Sequence, residues 1–399
     1  MRPLLISAAT LASSLGLGLE ATRHALASGT SGLAPCRFET AALDTWVGEI
    51  ASVDETRLPP ELRAFDCRNN RAAELGLAQD RFADAVRAAA GRHGAARIGV
   101  FIGTSTAGIL QTELAYRRRD PRDGALPADF DYRRTHNAFS VAEYVRARLG
   151  LAGPCAAIST ACSSSAKAFA SAARLIEAGV IDAAVVGGVD TLCLTTLYGF
   201  GSLDLLSSSP CRPYDAERDG ISIGEAAAFF LLEPVPANAK RGVALLGSGE
   251  SSDAWHMSAP HPEGRGARMA MEAALRSASL APEAIDYVNL HGTGTQSNDA
   301  SEDRAVTALF GDRVPCNSTK GLTGHALGAA GGVEAIVALI AIREELLPPG
   351  AGTRRIDPAL HARYEIEGGA ARVDRVMSNS FGFGGSNCSL VFGRVESIA

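Results

Sequence analysis

A chain of 399 residues, 46% hydrophobic and 21% charged, has the apolar content for a large core and the length for two to three domains. Its formal net charge of -6 argues against general nucleic-acid binding, and no uninterrupted apolar run is long enough for a membrane span. Its eight cysteines form no close CxxC pair and no tight Cys/His cluster, so they point to neither a structural zinc site nor a disulfide framework.

The first apolar stretch, residues 3–12 after Arg2, together with the later Ala25-Leu26-Ala27, imitates a secretory signal with a cleavage site. Arginines then cluster unevenly: Arg63, Arg68 and Arg71 first, Arg117-Arg118-Arg119, Arg122 and Arg133-Arg134 next, enough for a local basic surface. Residues 154–158 (Pro154-Cys155-Ala156-Ala157-Ile158) read as a short buried strand. Beyond them Ala166, Phe169, Ala170, Ala173, Leu175 and Ile176 recur at helical spacing. Cys162, in Ser159-Thr160-Ala161-Cys162-Ser163-Ser164-Ser165-Ala166, therefore belongs to a sharp turn feeding a helix N-terminus. Unpaired N–H groups and the helix dipole favour negative charge there, so the thiol is expected to be exposed and its pKa lowered. The other seven cysteines (Cys36, Cys67, Cys155, Cys193, Cys211, Cys316, Cys388) read as small buried hydrophobes.

A strand over residues 227–232 runs into Glu233-Pro234-Val235-Pro236, a seam that divides the chain into residues 1–234, with Cys162, and residues 235–399. In the second part, Tyr287-Val288-Asn289-Leu290-His291-Gly292-Thr293-Gly294-Thr295 places a histidine at the C-terminal edge of a short strand, the usual place for ligand contacts in α/β sheets. Residues 317–332 carry Lys320 and His325 in a polar loop, followed by a helix so poor in bulk that it must pack closely against other backbone. Residues 378–387, Ser378-Asn379-Ser380-Phe381-Gly382-Phe383-Gly384-Gly385-Ser386-Asn387, form a glycine-rich loop suited to aim N–H groups at a developing oxyanion, ahead of a terminal strand over 388–392. His24, His93, His136, His256, His261 and His361 lack such settings and read as structural. The absence of Gly-x-x-x-x-Gly-Lys-Ser/Thr, and of Gly-x-Gly-x-x-Gly at a strand-to-helix junction, disfavours nucleotide binding.

These motifs resemble, over nearly the whole chain, the elongating β-ketoacyl-acyl carrier protein synthases, the type I and II condensing enzymes of the thiolase superfamily. They comprise the turn at Cys162, Arg212-Pro213-Tyr214-Asp215 with Arg218-Asp219-Gly220 and Gly224-Glu225, His-Gly-Thr-x-Thr at His291, the loop from Lys320 through His325 with Glu334, and the Phe381 loop. Two histidines point to the decarboxylating, elongating branch, rather than to the His/Asn pair of initiating enzymes and chalcone synthases or the second cysteine of thiolases. An inactive chain-length-factor relative would lack the nucleophile.

The resemblance implies an α/β fold with five αβαβα layers, built from two similar halves, and an active site assembled across the seam. Cys162 would accept an acyl group from a carrier-protein thioester, with the N–H groups of Cys162 and Phe383 as oxyanion hole. Neutral His291 and His325 would stabilise the enolate left when a malonyl thioester loses carbon dioxide. Lys320 would orient them, while Glu334 has two expected roles, fixing Lys320 or holding a water or cation. Thr293 and Thr295 resemble the threonines that bond phosphopantetheine amides, and Phe381 stands beside the substrate. Neither a metal nor a consumed cofactor is implied.

Acyl carrier protein is the implied partner, steered by the basic surface and docking at Arg68 and Arg71. The chain is expected to form a homodimer or a heterodimer with a chain-length-factor-like subunit. Thr106, in a loop that borders the acyl pocket across the dimer interface in the family, is smaller and more polar than the bulky residue of one elongating class. The stretch over residues 198–212 is short as well, and both favour a specialised type II polyketide or aryl-polyene synthase. A noncatalytic chain-length partner is the alternative of a different class, and the intact Cys162, His291, Lys320 and His325 argue against it. Read against the family, residues 4–9 form the first core strand, with a loop and helix beginning at residues 15–19, which rejects the signal peptide. A reduced nucleophile then favours the cytoplasm.

Overall fold

Small and β-branched residues in near-continuous apolar runs suit strands covered on both faces, as in α/β sheets. The computed structural model describes residues 1–397. In the first part of the chain such runs form β1 (Leu4–Ser13), β2 (Ile98–Gly103), β3 (Cys155–Ile158), β4 (Ala183–Asp190) and β5 (Ala226–Pro234). In the second they form β6 (Val243–Ser252), β7 (Tyr287–Asn289), β8 (Cys316–Asn317), β9 (Arg375–Gly382) and β10 (Ser386–Arg394). They follow one path, β8-β7-β9-β10-β6-β1-β5-β4-β2-β3.

On each side of the β6/β1 joint the order is the same: third, second, fourth, fifth, first strand of that half. The first three in that order are mutually parallel, and the remaining two joints are antiparallel. The chain is thus built from two similar halves, a kinship its sequence does not display. β1 pairs along its length with β5 but touches β6 only at Leu4 and Leu5.

The layering helices are α1 (Arg68–Leu77), α2 (Phe82–His93), α3 (Phe139–Arg148), α4 (Ser164–Glu177), α5 (Arg265–Ala278), α6 (Gln296–Phe310) and α7 (Ala330–Glu344). Phe169 of α4 and Ile336 and Leu339 of α7 share one core with Phe230 of β5 and Phe392 of β10, so these two helices lie between the half-sheets. α1 to α3 cover the first half-sheet through Ala72, Val86 and Tyr144, and α5 and α6 cover the second through Met271 and Phe310. This is the expected five-layered αβαβα arrangement. α7 is buried from Ala330 to Ile342, as a helix apolar on all sides must be. Its small residues are required by contact: a Cβ on Gly331 would lie 2.8 Å from Ser380 Oγ and 2.9 Å from Ala166.

One expectation about the sheet is corrected. β3 is not a buried strand but the outermost one, paired among the described residues with β2 alone and half-buried at all four residues. Among the described residues no helix is long and apolar enough to cross a membrane.

Candidate active site

Cys162 lies where the chain leaves β3 and turns into α4. Ala161 adopts a left-handed conformation, φ 53°, which a residue with a Cβ rarely takes. Hydroxyls brace the turn: Ser164 Oγ donates to the Ala161 carbonyl at 2.5 Å and accepts the Thr160 N–H at 2.9 Å, while Ser163 Oγ donates to the Thr160 carbonyl at 2.9 Å. The serines after the cysteine therefore hold the turn at Cys162.

The expectation of an exposed sulfur with lowered pKa is corrected. Cys162 is 6% exposed, and burial pushes its thiol up to about 11, against the opposing pull of Lys320 and the Phe383 N–H. Loss of water around the thiolate outweighs these favourable charges. Alkylation of Cys162 by iodoacetamide, followed by mass spectrometry, is accordingly expected to accelerate roughly tenfold per pH unit between pH 7 and 9, since the thiolate is the reactive form. A plateau below pH 8 would mean a lowered thiol pKa instead.

His325 Nε2 stands 3.1 Å from Cys162 Sγ, and His325 Nδ1 accepts the Leu327 N–H at 3.2 Å. A ring nitrogen that accepts from an amide presents its lone pair, so in the neutral ring the hydrogen sits on Nε2. His325 thus faces the sulfur as a donor. The His291 ring lies 5.2 Å from that of His325 at 82°. One ring nitrogen of each and Cys162 Sγ all fall within 4.8 Å of one another. Burial and the charge of Lys320 hold both histidines well below the usual imidazole pKa, which keeps them neutral at physiological pH.

Lys320 Nζ donates to the His291 carbonyl and to Glu334 Oε1, and Ser380 Oγ donates to Glu334 Oε2 at 3.1 Å. The ion pair with Lys320, one of the two roles expected for Glu334, is formed. Two buried acids of α6 support the His291 loop through its amides. Glu302 accepts the N–H groups of His291 at 2.8 Å and Gly292 at 2.7 Å, and Asp299 accepts those of Thr293 at 3.0 Å and Gly294 at 3.3 Å. Sequence reasoning missed both. The available signal was Asp299, Glu302 and Asp303, acids three and four positions apart directly after the His291 motif.

A pocket reaches the sulfur, lined by Cys162, His291, His325, Thr293, Thr295, Phe381, Phe383 and Phe200 among others. Thr293 Oγ1 and Thr295 Oγ1 are 3.0 Å apart, and Thr295 also caps α6 by accepting the Asn298 N–H. The Phe381 ring is 6.0 Å from His291, and that of Phe383 is 5.5 Å from Phe200. Gly384, φ 76°, supplies the left-handed turn that follows Phe383.

Two further site expectations are corrected. Thr106 is 1% exposed, and its hydroxyl donates to Asp190 at 2.8 Å, so it faces its own chain rather than the pocket or a partner. Arg68 is 4% exposed, with its guanidinium on Glu225 at 2.6 Å and 3.0 Å and on Asp54 at 2.7 Å. A cation so enclosed and paired offers nothing to a docking protein. Arg71 is at the surface but already in a bidentate pair with Asp66, at 2.6 Å and 3.0 Å. Within the expected basic surface Arg117, Arg118, Arg122 and Arg133 each pair with an acid, Glu39, Asp129, Asp120 and Glu143 respectively.

Known proteins share this fold. Residues 9–237 match the N-terminal domain of beta-ketoacyl synthases and residues 243–354 the C-terminal domain. The chain is 31% identical to a 3-oxoacyl-[acyl-carrier-protein] synthase 2 of Vibrio cholerae over 99% of both chains, and 38% identical to one of Rhizobium meliloti over 74% of both. The solved complex of the ketosynthase ApeO with its chain length factor ApeC, from Xenorhabdus doucetiae, is matched with a TM-score of 0.88 at 39% identity over 98% of both chains. The ishigamide ketosynthase/chain length factor is matched with a TM-score of 0.88 at 26% identity, covering 98% of this chain and 99% of that one. The chain belongs to the β-ketoacyl synthase family of condensing enzymes.

Proposed function

We propose that this enzyme joins an acyl group held on Cys162 to a malonyl group delivered by acyl carrier protein, with loss of carbon dioxide, giving β-ketoacyl-acyl carrier protein. The observation that carries the reading is His325, a neutral ring whose Nε2–H points at Cys162 Sγ across 3.1 Å. Cys162 Sγ attacks the acyl thioester, the N–H groups of Cys162 and Phe383 receive the oxyanion, and the carrier thiol leaves with the proton. The malonyl carboxylate then departs as carbon dioxide, and its bonding electrons pass into the thioester to form an enolate. His291 and His325 donate hydrogen bonds to the enolate oxygen. The enolate carbon attacks the acyl-Cys162 carbonyl, and cleavage of the C–S bond returns a thiolate that His325 and the Phe383 N–H are placed to receive. The charge of Lys320 is one reason the histidines stay neutral. No metal or resident cofactor enters this reading; Thr293 and Thr295 hold the pantetheine arm.

Likeness to two ketosynthase and chain-length-factor structures supports a second reading, a specialised polyketide or aryl-polyene product. It also supports a dimer with a chain-length-factor-like partner or a second copy. The outer edge of half-exposed β3 is the place we assign to that contact, because its backbone groups lack a strand on that side. The eight free thiols fit the cytoplasm.

Intact-protein mass spectrometry with saturated and polyunsaturated acyl carrier proteins, then malonyl carrier protein, tests the proposal, with and without a chain length factor. Acylation at Cys162, discharge to a β-ketoacyl product and preference for unsaturated chains are expected. Preference for ordinary saturated chains would sink the specialised reading, and failure to acylate under any condition would sink the condensing one.

A further inference from the structure

We propose that Asp190 is a positioning residue for His325, acting through the Gly328 N–H on the turn that fixes the His325 tautomer. The inference rests on the role assigned to His325 above. Asp190 ends β4 and is fully buried. Its Oδ2 accepts the Gly328 N–H at 2.6 Å and Ser105 Oγ–H at 2.6 Å. Its Oδ1 accepts the hydroxyls of Thr104 at 2.7 Å and Thr106 at 2.8 Å and the Thr106 N–H at 2.9 Å, and the Ser105 N–H lies 2.9 Å and 3.0 Å from the two oxygens. A buried carboxylate gripped by amide and hydroxyl donors has one geometry open to it, and charge-assisted hydrogen bonds make that geometry stiff.

The connection to His325 is short. Gly328 follows Leu327, whose φ of 51° is left-handed, a conformation that a branched side chain keeps only when its surroundings impose it. Asp190 pins the peptide after Leu327, and the left-handed residue then turns the preceding peptide so that the Leu327 N–H meets His325 Nδ1 at 3.2 Å. If that N–H drifts, Nδ1 can take the ring hydrogen. Nε2 would then present a lone pair to the sulfur and to an enolate oxygen, exchanging attraction for repulsion.

Asp190→Asn tests this, because the amide nitrogen cannot accept from Gly328. Decarboxylation of malonyl carrier protein is expected to fall about 10- to 100-fold, below the roughly 100- to 1,000-fold cost of deleting a donor outright. Acylation of Cys162 should change by less than about threefold. Asp190 raises the Cys162 thiol pKa, so neutralising it does not by its charge slow acylation. The decisive readout is nitrogen-15 NMR of labelled histidine rings, with His325 assigned by its loss in His325→Ala. D190N should populate the Nδ1–H tautomer at His325, and Thr104→Val, which removes a different donor to Asp190, should not.

An unchanged tautomer in D190N, or the same tautomer shift in T104V, overturns the inference. Should D190N not fold, D190E carries the test, since one added methylene displaces the carboxylate from Gly328 while keeping its charge. Normal decarboxylation by His325→Ala would defeat the underlying reading. Impaired His325→Ala beside a normal D190N would defeat this inference alone.

Discussion

Cys162→Ala is expected to abolish acyl transfer, whereas His291→Ala and His325→Ala should still acylate while decarboxylation falls on the order of 100- to 1,000-fold. The difference follows from which atoms each step uses. Acylation needs the sulfur and the amides of the Cys162 and Phe383 loops, which stay when a ring is deleted. Decarboxylation leaves charge on one oxygen, and in the proposed reaction the two neutral rings donate to it. His325→Ala should also slow acylation modestly, because it removes the Nε2–H that faces Sγ at 3.1 Å. Intact-protein mass spectrometry follows the acyl adduct, and released carbon dioxide follows the second step. Normal condensation by the Cys162→Ala enzyme would refute the central assignment.

Glu334→Ala is expected to lower the unfolding free energy by about 3–5 kcal/mol, because it leaves Lys320 as a buried cation without its counter-ion. Both side chains are almost fully enclosed, at 3% and 4% exposure. Replacing both, as in Lys320→Met with Glu334→Leu, should restore most of that stability, since apolar residues of similar volume often substitute for a buried ion pair without loss. The double variant should nonetheless decarboxylate poorly, because Lys320 Nζ also holds the His291 carbonyl. Urea unfolding beside the carbon dioxide assay separates the two effects. A Glu334→Ala enzyme as stable as the parent would mean that Lys320 does not depend on this pair.

The candidate site was legible because the settings of its residues are local. Small residues around Cys162, His291 and His325 mark places where backbone must approach backbone, and glycine and alanine announce that in sequence. Burial was not local. Arg68 looks like a surface cation until Glu225, 157 residues away, folds against it. The helix start after Cys162 is visible in the periodicity, but the water it loses to the Phe381 loop is not, so the direction of the thiol's pKa was misread. Thr106 was assigned to the pocket by position, and its side chain turned to Asp190 instead. β3 has the composition of a core strand, and only the sheet path reveals that it is the last one. Glu302 and Asp299 escaped notice because a buried acid that serves amides looks, in sequence, like any helix-surface acid.

The first strand also sets a timetable. Ala12 and Ser13 find Leu17 and Gly16 at once, but the other edge of β1 waits for residues 226–234 and Leu4 and Leu5 wait for Leu245 and Ala244. At about 5–20 residues per second, a ribosome leaves that apolar segment without its partners for roughly 10–45 s. The nascent chain must therefore shelter Leu4, Ile6, Ala9 and Leu11, all buried at the end, while most of the protein is still being made. Assembly of the two halves ought to be cooperative and slow, dominated by closure of a very long loop. An early-acting chaperone would be felt most by substitutions in these few positions, far from the sulfur and the two histidines.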